Sequence, residues 1–133
     1  MVIKDYGKYL SVLLWLVAIH SIIVGICLLI IPSSFLNYFN LQEYKENFFQ
    51  AQGGAFHLGV SIAYCMAAVN PNRSAQLIKF IIYLKLLAFV FLTTYFFFVL
   101  QSWLILVSGI GDGLMGILIL VLFKISKIAN NKV

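Results

Sequence analysis

The sequence predicts an all-α fold: an integral membrane four-helix bundle with both termini cytoplasmic. Three observations carry that prediction. Of the 133 residues, 63% are hydrophobic and only 10% charged, with a mean hydropathy of +1.04. Four apolar runs each reach the roughly 20 residues a helix needs to cross a bilayer core of about 30 Å. The basic residues outside those runs gather on one side. A soluble domain of this length carries roughly 25% charged residues and has no core large enough to hide so much apolar surface.

The first run, Tyr9 to Ile31, closes at Pro32, which lacks the N–H a helix interior requires. Lys4 and Lys8 precede it as the basic region of a signal peptide would, but the run exceeds the roughly 7 to 15 apolar residues of such a segment. No small-residue cleavage site follows, and Val24-Gly25-Ile26-Cys27 places Ile26 where a lipidation site needs a small side chain. The run therefore reads as a span. The loop from Pro32 to Asn47 mixes Phe35, Tyr38, Phe39, Leu41 and Tyr44 with polar residues, the composition of a short amphipathic segment lying at the headgroups. Phe48, Phe49, Tyr95 to Phe98 and Trp103 extend it into an aromatic belt.

The second span, Phe48 to Val69, ends before Asn70-Pro71-Asn72, and the third, Leu77 to Val99, follows that turn. Only Leu100, Gln101 and Ser102 separate the third from the fourth, Trp103 to Phe123, so these two helices form an antiparallel hairpin. Lys4, Lys8, Arg73, Lys79, Lys124, Lys127 and Lys132 fall on one side and Lys45 alone on the other, which places both termini in the cytoplasm by the positive-inside rule. Residues 1–133 thus form one transmembrane domain, with 124–133 as a short basic cytoplasmic tail in the cell inner membrane. The net charge of +5 is an orientation signal; no clustered basic surface points to nucleic acid.

Small residues predict packing faces. Ala51, Ala55, Gly59, Ala63 and Ala67 recur at every fourth position of the second span, Gly109, Gly113 and Gly116 line the fourth, and Ala18, Ser21 and Gly25 the first. The third span, rich in Leu, Ile and Phe, has no such ridge and is expected to face lipid or a partner. Cys27 and Cys65 lie near opposite ends of their helices, about 20 Å apart at 1.5 Å per residue, and read as small packing residues.

Each span carries one ionisable group at membrane depth: His20, His57, Lys85 and Asp112. Helix arithmetic puts them in one layer, about 12 to 18 Å from the inner boundary. A Lys or Asp at a helix centre costs roughly 2.5 to 3.5 kcal/mol, and each Leu, Ile, Phe or Val returns roughly 0.3 to 0.6. Sixteen such residues carry Lys85; thirteen residues and four glycines carry Asp112, which must then be paired or protonated. Lys85 and Asp112 are expected to pair across the hairpin, with snorkelling of Lys85 to the headgroups as the alternative. Gln50, Gly54, His57, Ser61 and Tyr64 form a polar stripe on one face of the second span, a ligand or proton path or else interhelical hydrogen bonding.

His20 and His57, at like depth on consecutive helices, are a pair able to ligate one haem iron, although no cofactor is expected. No metal site is expected either, because no ligand pair at i, i+3 or i, i+4 exists. Phosphate loops, nucleophile elbows, paired carboxylates and CxxC are all absent, so no catalytic residue is assigned.

Pro32, the glycines Gly53, Gly54 and Gly59 with Tyr64, then Pro71, Lys85, Trp103 and Asp112 together give the chain a pattern that resembles the small four-helix bacterial membrane proteins grouped as DoxX-like. It lacks the arginine such proteins often carry near the start of helix one. The resemblance implies an inner-membrane protein accessory to redox or envelope systems, with no assigned catalytic residues. The leading expectation is an accessory or assembly component of a larger membrane complex, or a homo-oligomer, surrounded by the lipid bilayer. The alternatives are a small transporter or ligand-binding bundle using the His/Asp/Lys layer, and a haem- or quinone-binding redox subunit.

Overall fold

The computed structural model describes residues 6–39 and 47–130. It is all-helical over these residues: α1 (Tyr6–Ile30), a 3-10 helix (Ser33–Phe39), α2 (Phe48–Val69), α3 (Ala75–Phe98) and α4 (Trp103–Asn130). Leu41, Tyr44 and Lys45 of the expected headgroup segment lie outside the described residues.

Local chemistry sets each boundary. Pro32 ends α1, whose last turn closes with the Ile31 N–H donating to the Cys27 carbonyl at 2.9 Å. Pro71 stops α2, and the Arg73 N–H donates back to the Asn70 carbonyl at 3.2 Å to form the turn into α3. At the other end of α3, the N–H groups of Val99 and Leu100 converge on the Tyr95 carbonyl, and the Ser102 carbonyl accepts from Ile105 and Leu106 to open α4. The fourth helix runs past the expected Phe123 to Asn130, so Lys124 and Lys127 sit on the same continuous helix. Neither a proline nor a glycine stands there to stop it.

Three helices among the described residues are long and apolar enough to cross a membrane: α1, α3 and α4 over Trp103–Lys127. The second, expected as a fourth span of the same kind, falls short in apolarity, because Gln50, Gln52, His57, Ser61 and three glycines dilute it.

The helices pack as two antiparallel pairs, α1 with α2 and α3 with α4; α1 against α4 joins the pairs, while α2 and α3 barely meet. Glycines set both pair interfaces. A Cβ on Gly54 would lie 2.8 Å from the Gly25 carbonyl oxygen, and one on Gly25 would lie 3.0 Å from that of Gly54, so the α1 and α2 backbones touch. Along α4, the positions beside Gly109, Gly113 and Gly116 are filled by Leu92, Phe89 and Lys85 of α3. The third helix, expected to face lipid or a partner for want of a small-residue ridge, keeps Tyr83, Leu87 and Phe91 exposed on one face and supplies from another the large side chains that the α4 ridge receives.

The face of α2 departs from expectation. Its four-residue ridge does not face the bundle as a whole: Ala55 and Gly59 are exposed, nothing lies within 4 Å of a Cβ built on Gly59, and Ala51 and Ala63 are half-buried. Steps of four residues advance about 40° beyond a full turn, so the ridge winds around the helix. The polar stripe turns inward in its place, with Gly54, Ser61 and Tyr64 buried.

A dry core fills the half of the bundle that holds the chain ends. Leu10, Leu14 and Val17 of α1 meet Tyr64 and Ala67 of α2, Ile78 and Ile81 of α3 and Ile119 of α4, each at most 2% exposed. Outward faces remain apolar, with Leu16, Tyr83 and Leu114 more than half exposed.

Candidate functional site

The opposite half, nearer the 3-10 helix, is hollow. A cavity of about 650 Å³ opens between α1 and α4, walled by Ile23, Leu28, Leu104, Ile105 and Met115 and reached on one side by Leu92 of α3. Phe35 and Phe39 of the 3-10 helix line its outer end. That helix is anchored: the Ser102 hydroxyl donates to the Phe39 carbonyl at 2.6 Å, and the Phe39 ring lies 5.4 Å from that of Trp103, centroid to centroid. Volume and apolar lining match small-molecule sites, which span roughly 300 to 1,000 Å³ with a few placed polar groups.

Its polar groups come from three helices: His20 of α1, Gln50 and His57 of α2, and Ser108 and Asp112 of α4. Counting 1.5 Å per residue, His20, His57 and Asp112 share a level about 14 Å below the outer helix ends, with Gln50 about 10 Å above them. His20 is exposed and His57 half-buried.

Lys85 lies outside this lining, one turn deeper, and reaches back to Asp112. Its Nζ donates to Asp112 Oδ1 at 2.6 Å, with side-chain exposures of 4% and 13%. Lys85 therefore turns into the bundle and does not snorkel. The same ammonium sits 5.5 Å from the centroid of the buried Tyr64 ring, a cation–π contact that further shelters it. Its aliphatic stem covers Gly116. Together the pair and Tyr64 form a floor between the hollow half and the dry core.

Two hydrogen-bond arrangements on α2 fix what the cavity is offered. Gln50 Nε2 donates both its hydrogens, to the Leu28 carbonyl at 2.9 Å and the Ile31 carbonyl at 2.8 Å. These are carbonyls at the C-terminal end of α1, which lack intrahelical donors. Turning the amide would bring Oε1 against two acceptors, so Oε1 points away, buried and without a partner. Next, the Ser21 hydroxyl donates to the His57 carbonyl at 3.0 Å and also lies 3.2 Å from His57 Nδ1. One hydroxyl proton serves one acceptor; with it on the carbonyl, Nδ1 carries a hydrogen and gives it to Oγ, leaving Nε2 bare.

Of the sequence-derived stripe, Gln50 and His57 reach the cavity, while Gly54 meets Gly25, Ser61 donates within its own helix to the Leu58 carbonyl at 2.6 Å, and Tyr64 belongs to the floor. The two cysteines are free; Cys27 is exposed and lines the cavity. No group of three or more His, Cys, Asp or Glu able to hold a metal occurs among the described residues. Sequence reasoning did not place Ser108, Gly111 or the Leu28 and Ile31 carbonyls at the site. The one signal for the carbonyls is the end of α1 at Pro32, which leaves acceptors seeking donors.

Fold and site define a class: a small four-helix protein with three apolar helices and a half-open cavity above a buried lysine–aspartate pair. No protein-family model, curated protein or solved structure matches the chain.

Proposed function

We propose that the chain is an inner-membrane bundle that holds a small, mainly apolar molecule in the cavity between α1 and α4. The observation that carries the reading is the cavity itself: about 650 Å³ of space with an apolar wall and polar groups drawn from three helices. All four helices insert, α2 included, because its polar stripe turns inward against α1 while Phe56, Ile62 and Met66 face outward. Both termini are cytoplasmic, the side that carries seven of the eight Lys and Arg lying outside the membrane-depth layer. The DoxX-like pattern is consistent with this placement.

The test is to extract the tagged protein in mild detergent and identify what travels with it by native mass spectrometry. Gly111 lines the cavity and a Cβ there meets nothing within 4 Å, so Gly111→Trp is the variant chosen to place bulk at the cavity wall. A bound small molecule in the wild type that is missing from folded Gly111→Trp supports the reading; identical small-molecule content in both overturns it.

A second reading, an accessory or assembly component of a membrane complex, is favoured by the outward small residues Ala55 and Gly59, which allow a foreign helix to approach closely. A stoichiometric larger protein in the same extract supports it, and elution alone overturns it.

A further inference from the structure

We infer that the ligand's polar end is an uncharged hydroxyl. The inference rests on the cavity reading above and names the chemistry of its occupant. The polar wall is biased towards acceptors. Gln50 has spent both its amide hydrogens on α1 and has none to give to an occupant. In the tautomer that lets the Ser21 hydroxyl donate to the His57 carbonyl, Nδ1 gives its hydrogen to Ser21 Oγ and Nε2 is left to accept. The Asp112 carboxylate, in its ion pair with Lys85, accepts. His20 and Ser108 serve in either sense. Two acceptors on two helices, His57 Nε2 and the Asp112 carboxylate, call for a donor from the occupant, because a buried acceptor left unmade carries its full desolvation cost.

Charge decides which donor. Lys85 at 2.6 Å neutralises Asp112 from behind the wall, so the site as a whole is neutral. An ammonium ligand would leave a net positive charge among apolar side chains, and an anion would face Asp112 directly; both are costly where water is scarce. A hydroxyl on an apolar body supplies the hydrogen without the charge. That body is either a fused aromatic ring or an alkyl chain, and one set of probes separates the two.

The experiment uses the full chain in phosphatidylethanolamine/phosphatidylglycerol nanodiscs, with equilibrium dialysis against empty nanodiscs to subtract partition into lipid. The probes are 2-naphthol, its methyl ether and 2-naphthylmethylammonium, with 1-decanol and its methyl ether as the chain pair. One hydroxyl is expected to bind about tenfold more tightly than its own ether, as one to two good hydrogen bonds provide, and naphthol more tightly than the ammonium. Which hydroxyl wins identifies the body. Equal affinity of hydroxyl and ether, or tighter binding of the ammonium, overturns the inference and leaves the cavity reading standing. Absence of saturable binding by every probe overturns both. The probe series needs no variant; in addition, folded His57→Phe should narrow the hydroxyl-to-ether ratio, and an unchanged ratio removes His57 from the site.

Discussion

The two halves of this bundle use the same four helices to opposite ends. Towards the chain termini, Leu10, Leu14, Ile78, Ile81 and Ile119 interlock with no more than 1% of any one exposed. Towards the 3-10 helix, Ile23 and Leu28 stand on the same α1 yet border open space. Ile and Leu occur in both walls, but the hollow half adds His20, Gln50, His57, Ser108 and Asp112, which the core does not contain. Packing separates them as well. In the terminal half, branched side chains of α1, α3 and α4 close around Tyr64 and Ala67 of α2, whereas in the hollow half the side chains of α1 and α4 border open space, with Phe35 and Phe39 at its outer end. Packing there has been given up for space, and the space is bounded by charge below and aromatic rings above.

The contrast can be broken most severely at its boundary. Lys85→Met or Asp112→Leu alone leaves one buried charge without its partner and should cost about 3 to 5 kcal/mol, while the double variant should recover most of it. Denaturant titration of the four proteins in one detergent reads this double-mutant cycle. Next come the two halves themselves. Leu14→Ala, at a fully buried position, should cost about 2 to 5 kcal/mol, and Ile23→Ala, at a cavity wall 55% exposed, less than about 1 kcal/mol. Equal losses would mean that the cavity is filled and packed in the native membrane. A Cβ at Gly54 runs into the backbone of Gly25, so Gly54→Ala should cost about 1 to 3 kcal/mol through splaying of α1 and α2. On the outward side of the same helix, Gly59→Ala should raise stability by up to about 1 kcal/mol in the isolated chain, since its Cβ meets nothing. Smallest is Ser102→Ala, which frees the Phe39 carbonyl and should cost about 1 kcal/mol, seen as faster hydrogen exchange in the 3-10 helix.

The sequence made parts of this legible for definite reasons. Hairpin length and rise per residue bring Lys85 and Asp112 to within a side chain of each other, and the geometry pairs them. Prolines mark the ends of α1 and α2, and their positions transfer directly into helix boundaries. The α2 face was harder to read, because two patterns compete on that helix. Small residues at every fourth position and polar residues at alternating steps of four and three both look like interior faces, and periodicity alone does not rank them. The stripe follows the 3.6-residue turn and stays on one side; the ridge drifts off it. The cavity left no trace in the sequence, since a hollow depends on how far helices stand apart, which no single segment encodes.

Both members of the buried pair belong to α3 and α4, which a turn of only four residues joins between Phe98 and Trp103. During synthesis, each charge therefore finds its counterpart within the hairpin that carries it, and neither has to await α1 and α2. Lys79, Lys124 and Lys127 leave the second hairpin basic towards one end, but its two interior charges cancel within it, so α1 and α2 meet a surface whose most expensive groups have already been reconciled. Exchanging Lys85 and Asp112 between helices would preserve that order of assembly, whereas moving either onto α1 would make biogenesis wait on the meeting of two separate hairpins.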